Sequence, residues 1–254
     1  MIRRALATIL LSAWAFSAHA AATIDVKGAI QVQAASGVTS FAYTGLTTTA
    51  ASQTNGGILV FTEFYADPGT VTCVWDSAGA NQTMTQIASV NSGPTYTNSY
   101  SRAFALLAPT SYGAKTISCS WTNTTFIGIN AVSFTSINQT SVAAAFVAST
   151  AAPSAVTTSS ITVNGAAADI LMAFHSAGGS SPTLSAVNNT SWYIDNSLGR
   201  EGSGASYTTG VTSAALTATW SFAYDIAVIG VDVVAYGGGG GGGRPPTMTL
   251  MGVD

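Results

Sequence analysis

Short runs rich in Val, Ile, Thr, Phe and Tyr follow one another from Ile24 to Tyr236, and clusters of Gly, Asn, Ser and Pro separate them. β-Branched and aromatic side chains favour strands, whereas the separating residues favour turns. Examples are GILVFTEFYA at 57–66, KTISCSW at 115–121 and DILMAF at 169–174. Helical periodicity is nearly absent, and turn signals recur about every 8 to 12 residues. The chain is therefore predicted to be all-β, an antiparallel β-sandwich of jelly-roll-like architecture.

The two halves of the chain resemble each other. Setting Trp121 on Trp220 gives an offset of 99 residues that holds without a gap through the strand that follows. Upstream, Ile58 matches Ile170 at an offset of 112, so the first half carries longer loops. The pattern predicts an internal repeat of strands.

This repeat sets the expected domain organisation. We expect one domain at 21–236, built from similar half-units at about 24–140 and 141–236. Two small sandwiches would also fit, since a half-unit is long enough to be a domain. We favour a single sandwich because no linker-like composition separates the halves.

Residues 1–20 have the pattern of a secretory signal peptide, with Arg3 and Arg4 before an apolar stretch and small residues at Ala18 and Ala20. We expect cleavage after Ala20 and export to the extracellular space, the cell surface or the periplasm. The apolar stretch is shorter than the roughly 20 residues that span a bilayer, and no later stretch is long enough. No membrane span is expected once the signal is removed.

Cys73 and Cys119 are the two cysteines, and they lie in the similar segments VTCVW and ISCSW. Both segments are predicted strands, and thiols of exported proteins are usually oxidised. We therefore expect a disulfide between them.

A metal site is the weaker interpretation. Zinc is disfavoured because CxxC spacing is missing, and calcium is disfavoured because the chain has no D-x-D-x-D-G series. No metal or cofactor site is predicted.

Charged residues make up only 7% of the chain, against roughly a quarter in an ordinary soluble domain. Signal removal leaves ten acidic residues against five basic ones. Five basic residues are too few to neutralise a run of phosphates, so nucleic acid is not an expected partner. Apolar residues form 47% of the chain, enough for a buried core.

The sequence offers few residues for a histidine-based catalytic site. After signal removal His175 is the remaining histidine, and the offset of 112 places it opposite Glu63 at a strand end. No G-x-S-x-G motif accompanies it. We favour a structural histidine over a general base.

A glycosidase would need two carboxylates roughly 5 to 10 Å apart. The sequence offers five candidates but brings no two of them together: Glu63, Asp67, Asp76, Asp195 and Glu201. Asp67 and Asp76 have the pattern of turn residues. Asp225 and Asp232, placed in one final strand, would point to opposite faces. We therefore predict no catalytic residues and no enzyme.

Exposed aromatic rings are the remaining candidates for recognition, because a sugar ring stacks well on an aromatic face. Trp121 and Trp220 occupy equivalent strand ends and are expected to pack structurally. Trp192 and Tyr193 follow the polar loop NNTS and break from the repeat. They are the residues predicted as a ligand contact, with a glycan or a surface protein as partner.

Residues 237–254 differ in kind from the rest. Gly237 to Gly243 is an uninterrupted run of glycine, which is typical of a flexible linker. The segment TMTLMGVD at 247–254 has the pattern of a tail. It could add a strand to a sheet edge and mediate self-association.

Several segments together resemble a known class of protein: DSAGANQTMTQIAS at 76–89, RAFALLAP at 102–109, AVSFTSINQTS at 131–141 and WSFAYDIAVIGVDVV at 220–234. The chain resembles a loosely defined group of exported bacterial β-sandwich domains, jelly-roll-like and mostly without established activity. The resemblance implies the fold and a role at the cell surface. It supplies no catalytic residues.

The sequence thus favours a non-enzymatic exported β-sandwich module with a surface, adhesive or structural role. A carbohydrate-binding module is the first alternative, and a virion or filament structural protein is the second.

Overall fold

The computed structural model describes residues 20–33, 37–53, 55–93, 99–178, 182–196 and 201–237. The predictions for residues 1–19 of the signal peptide and for 238–254 of the tail fall outside these residues. Among these described residues, the first half of the chain forms twelve strands: β1 (Thr23–Lys27), β2 (Gln31–Gln33), β3 (Ser40–Tyr43), β4 (Thr47–Thr48), β5 (Gly57–Phe64), β6 (Val71–Trp75), β7 (Gln82–Thr83), β8 (Thr85–Asn91), β9 (Tyr100–Leu107), β10 (Gly113–Ala114), β11 (Ile117–Trp121) and β12 (Ile127–Thr135).

The part of the second half that the structure describes forms eight strands: β13 (Phe146–Ala151), β14 (Val156–Asn164), β15 (Ile170–Gly178), β16 (Leu184–Val187), β17 (Thr190–Asp195), β18 (Glu201–Thr209), β19 (Ser213–Tyr224) and β20 (Ile226–Val233). Helical structure among the described residues is limited to a 3₁₀ turn at Ala50–Gln53 and one α-helical turn, α1 (Val142–Ala145). The hydroxyl of Ser141 caps α1 by accepting from the amide of Ala144.

The strands pair antiparallel in all the sheets described, so the predicted all-β antiparallel sandwich-type fold is confirmed. Inner sheet 1 has the order β1-β12-β5-β9-β8, with β2 also on β12, and outer sheet 1 has the order β3-β11-β6-β7. Inner sheet 2 has the order β13-β20-β15-β18-β17, and outer sheet 2 has the order β14-β19-β16. The short strands β4 and β10 form a separate pair.

The central strands of the two inner sheets are buried on both faces. Every residue of β5, β15 and β20 is buried, and each of these strands is a continuous apolar run interrupted by few polar residues. Such a run is typical of a strand that is covered on both sides. In contrast, β14 and β19 of outer sheet 2 alternate buried and exposed residues, as expected when one face meets water.

Three apolar cores lie between the sheets. Outer core 1 separates outer and inner sheets 1, and outer core 2 does the same in the second half. The central core contains side chains of both inner sheets, with Phe61 of β5 stacked on Phe174 of β15 at 5.1 Å between ring centres. Each half therefore forms a two-layer sandwich, and the two sandwiches share a third core. The molecule has four layers.

The disulfide between Cys73 and Cys119 is confirmed. The two residues lie directly opposite each other on the paired strands β6 and β11, and both sulfurs are enclosed in outer core 1. The corresponding position in the second half is Ala218, 99 residues after Cys119. The crosslink thus belongs to the first half alone.

The strand pairing corrects one of the two offsets. The offset of 99 matches Phe134 of β12 with Val233 of β20, and both side chains lie in the central core. Phe134 pairs with Gly57, and Val233 pairs with Ile170. Gly57 therefore corresponds to Ile170, an offset of 113, not the 112 that matches Ile58 with Ile170. With this offset Glu63 corresponds to Ser176, so the predicted correspondence of Glu63 with His175 in the repeat is wrong. A shift of one residue exchanges the two faces of a strand, which is why Glu63 and His175 face different cores.

Candidate functional site

Glu63 lies near the end of β5 and faces the central core, where 1% of its surface is exposed. The hydroxyl of Ser203, from β18 in the other half, donates to Glu63 Oε1 at 2.9 Å. On the neighbouring strand β12 the carboxylate covers Gly128, where a Cβ atom would collide with it. Glycine at 128 therefore makes room for the acidic side chain between the sheets.

Three serine hydroxyls continue this contact between the halves. Ser176 of β15 lies 2.6 Å from the hydroxyl of Ser101 on β9 and 2.7 Å from that of Ser99. All of these serines are fully buried. The hydrogen bonds satisfy polar groups that would otherwise be costly to remove from water.

Several buried polar atoms nearby have no hydrogen-bond partner of good geometry among the described residues. They are Glu63 Oε2, both amide atoms of Asn130 and the hydroxyl of Tyr193. Asn130 is two residues from Gly128 and so faces the same core. We call this group the Glu63 cluster, and its members are Glu63, Ser99, Ser101, Asn130, Ser176, Tyr193 and Ser203.

Burial controls the charge state of the Glu63 cluster. Removal from water raises the pKa of Glu63 to about 8, the hydrogen bond from Ser203 opposes this rise, and the nearby carboxylate of Asp195 adds to it. Burial also raises the pKa of Tyr193 well above its ordinary value, and the charge of Glu63 acts in the same direction. At neutral pH the carboxyl group of Glu63 is therefore mainly protonated.

The predicted contact residues Trp192 and Tyr193 lie on β17, half-buried against the central core, and Tyr193 belongs to the Glu63 cluster. The pairing of β17 with β18 shifts between Ser191 and Tyr193, and such a bulge lets consecutive side chains turn toward one core. The indole of Trp192 donates to the carbonyl of Gly28 in the first half at 3.3 Å. Its ring lies edge-on to that of Tyr193, 5.5 Å away. Both residues therefore take part in contacts within the molecule.

His175 lies on β15 next to Ser176 but faces the opposite way, into outer core 2. Its Nδ1 is 2.9 Å from the hydroxyl of Ser159, which also accepts from the indole of Trp220 at 3.3 Å. Burial lowers the pKa of His175 to about 3, so the imidazole is neutral at physiological pH. Its position inside a packed core favours the structural role over a general base.

The other carboxylates divide between turns and strands. Asp67 accepts from the amide of Gly69, and Asp76 accepts from the amide of Ala80 and forms an ion pair with Lys115 at 3.3 Å. Both are turn residues, as predicted. Asp225 lies before β20 and not within it, where it accepts from the hydroxyl of Ser154 and the amide of Ala155.

Asp195 is the carboxylate that the fold brings close to Glu63, near enough to affect its pKa. Glu201 begins β18, and Asp232 is buried within β20. Thus the structure does bring together one pair of candidates that the sequence could not relate. Glu63 is enclosed between the inner sheets.

The structure also has a shallow cleft of about 500 Å³ between β1 and the second half. Small side chains such as Ala22 and Ala168 line it, together with the ring of Tyr207. Asp169 also lines the cleft, but its carboxylate accepts from the amides of Ala166 and Ala235. The cleft therefore offers a weakly polar lining in which the acidic group already has backbone partners.

Sequence reasoning missed Asn130 and the serines of the Glu63 cluster. The available signal was a polar residue inside an apolar strand, as in FIGINAVSF at 126–134. A buried polar side chain in such a strand usually has a partner across the core.

Among the described residues, no group of three or more His, Cys, Asp and Glu side chains is placed to hold a metal ion. Within the same residues, none of the helices is both long and apolar enough to cross a membrane. Comparison with known proteins finds no matching family model, no matching curated protein and no matching solved structure.

Proposed function

We propose that the protein is a non-enzymatic exported β-sandwich module that acts at a surface, as an adhesive or structural element. The predicted signal peptide, the disulfide and the resemblance to exported bacterial β-sandwich domains support this proposal. Disulfides persist mainly outside the cytosol.

The observation that carries the proposal is the absence of charge from the two outer sheets. The strands β3, β6, β7, β11, β14, β16 and β19 contain no Asp, Glu, Lys or Arg. Their solvent-facing residues are mostly Ser, Thr and Ala; Thr158 pairs with Thr219, and Thr72 pairs with Ser120. A neutral face with many hydroxyl groups suits an uncharged partner better than a charged one.

The positions of the titratable groups support a role without catalysis. Glu63 and His175, the candidates for acid and base chemistry, are both enclosed in packed cores. A general acid or base must come within hydrogen-bond reach of a substrate. In the part of the chain that the structure describes, packed side chains separate both Glu63 and His175 from the solvent through which a substrate would arrive.

A carbohydrate-binding module remains the first alternative, because uncharged glycans match neutral, hydroxyl-bearing faces. Trp192 and Tyr193 could serve this role through the parts of their rings that are not buried. A virion or filament structural protein is the second alternative, in which the neutral faces would pack against further copies.

Two assays with charge variants test the proposal. We would measure sedimentation with insoluble neutral polysaccharides, namely cellulose, chitin and β-glucan, and self-association by light scattering. Wild type is expected to bind or to associate in at least one assay. Two double variants place lysines on exposed positions of the outer sheets: Thr72→Lys with Ser120→Lys on outer sheet 1, and Thr158→Lys with Thr219→Lys on outer sheet 2. At least one of them should weaken that interaction about tenfold or more.

A matched control carries two lysines elsewhere, as Thr85→Lys with Gln86→Lys on the exposed positions of β8. The control should behave as wild type. Equal binding by all variants, or no interaction of wild type in either assay, contradicts the role of the outer faces. If wild type releases reducing sugar from these polysaccharides and Glu63→Gln does not, the protein is an enzyme and the non-enzymatic assignment is wrong. A glycan array with wild type and Trp192→Ala tests the carbohydrate-binding alternative, which predicts that wild type binds a glycan and that the variant loses this binding.

A further inference from the structure

Glu63 connects the two halves of the chain through a direct hydrogen bond to Ser203. Glu63 lies at one end of the central core. The stacked rings lie farther inside it: Phe61 is two residues from Glu63 on β5, and Phe174 is two residues from Ser176 on β15. We propose that Glu63 is a proton-controlled latch: inner sheets 1 and 2 stay closed around its carboxyl group while that group is neutral, and its ionisation opens this end of the central core to water. The inference does not depend on the proposed function.

The groups that face Glu63 do not compensate a negative charge. Gly128 lies directly opposite it on β12 and Ser101 on β9, and Asn130 lies two residues farther along β12, opposite Phe61. From inner sheet 2, Ser203 donates to Glu63 and Ser176 contacts Ser101. The titratable groups near it are Asp195 and Tyr193, and the carboxylate of Asp195 disfavours ionisation.

The basic groups of the neighbouring strands face elsewhere. Arg102 alternates with Ser101 and turns to the other side of inner sheet 1, where its guanidinium donates to carbonyls of β8 and β9. His175 faces outer core 2. A charge on Glu63 therefore has no cation to pair with among these residues, and water is the remaining way to stabilise it.

The Glu63 cluster also favours opening at this end of the core over any other. Both side-chain amide atoms of Asn130 are buried without a partner among the described residues, so Asn130 gains hydrogen bonds when water enters. Farther along, the central core is apolar and resists hydration. The pKa of Glu63, raised by burial to about 8, places the transition in the mildly alkaline range.

Trp192 reports on this opening, because its indole packs near Phe61 and donates to Gly28 across the two halves. We would follow tryptophan fluorescence of the disulfide-bonded protein from pH 6 to pH 9.5. Wild type should show a reversible red shift with a midpoint near the pKa of Glu63, which is about 8. Trp192→Phe should remove most of the signal change, which assigns it to this position.

Three variants give different shifts if the latch is correct. Glu63→Gln keeps the shape of the side chain but cannot ionise, so the transition should disappear. Asp195→Asn removes a charge that raises the pKa of Glu63 and should lower the midpoint. Ser203→Ala removes a hydrogen bond that lowers this pKa and should raise the midpoint.

His175→Asn is the matched control, since its side chain lies on the other face of β15, and it should leave the midpoint unchanged. Circular dichroism establishes that each variant is folded at pH 6. An unchanged transition in Glu63→Gln overturns the proposal. If that variant does not fold, equal midpoints in Asp195→Asn, Ser203→Ala and wild type overturn it, and so does the absence of a transition in wild type.

Discussion

At the scale of single residues, two buried titratable side chains set opposite limits on stability. Burial raises the pKa of Glu63 from 4.5 to about 8 and lowers the pKa of His175 from 6.5 to about 3. A raised carboxyl pKa stabilises the folded state at low pH, and this contribution falls as the pH rises from about 4.5 through 8. A lowered histidine pKa acts in the other direction, and stability falls as the pH drops from about 6.5 through 3. The two effects together favour greatest stability at mildly acidic pH.

The acid side of this profile can be assigned to His175. Replacing it with Asn keeps a hydrogen-bonding group for Ser159 but removes the imidazole. Between pH 7 and pH 4, wild type should lose about 3 kcal/mol of unfolding free energy through this residue. Urea denaturation at both pH values measures the loss. His175→Asn should lose correspondingly less, and an equal loss in both proteins would count against the buried neutral histidine.

A second prediction concerns the space that Gly128 leaves for Glu63. A Cβ at this position collides with the Glu63 carboxylate, and the three atoms nearest to that Cβ all belong to Glu63. Gly128→Ala should therefore cost about 1 to 3 kcal/mol of unfolding free energy, as overpacking does in other cores. In a Glu63→Ala background the same substitution should cost much less. Thermal denaturation of the four proteins in this double-mutant cycle measures the coupling, and an undiminished cost would refute the contact.

At the scale of elements, the outer sandwich of the first half contains a crosslink that the second half lacks. The disulfide joins β6 to β11 across a sequence separation of 46 residues. In the chain-entropy model a loop of this length contributes roughly 4 kcal/mol. The double substitution Cys73→Ala with Cys119→Ala should lower the unfolding free energy by about that amount in urea. A loss below about 1 kcal/mol would mean that packing alone holds β6 on β11.

The elements also indicate how far sequence reasoning reaches. Residue types and turn spacing were sufficient for the strands, and the similar segments around Cys73 and Cys119 were sufficient for the disulfide. The continuous apolar runs of β5 and β15 carried the signal for strands covered on both faces. Register was harder, because matching Ile58 with Ile170 conserves residue type but exchanges the faces of the strand.

The Glu63 cluster was beyond sequence reasoning for a physical reason. Its members come from strands far apart in the chain, and they meet only because the two inner sheets pack against each other. No local pattern encodes that packing. For the same reason the half-buried positions of Trp192 and Tyr193 could not be deduced from the polar loop before them.

At the scale of the whole molecule, the four layers explain why so few charges suffice. The central strands of the inner sheets are buried on both faces, and the outer sheets present Ser and Thr in place of charged residues. Charges are left to edge strands, turns and a few buried sites. This distribution leaves two neutral outer faces and one core that both halves share.

Native-state hydrogen exchange of wild type and Phe61→Ala tests this shared core most directly. Phe61 belongs to the first half but stacks on Phe174 of the second. Its truncation should cost about 3 to 5 kcal/mol and accelerate the slowest amides of β5, β12, β15 and β20 together, because the two halves unfold as one unit. If Phe61→Ala accelerates β5 and β12 but leaves β15 and β20 at wild-type rates, the halves are independent and the four-layer account is wrong.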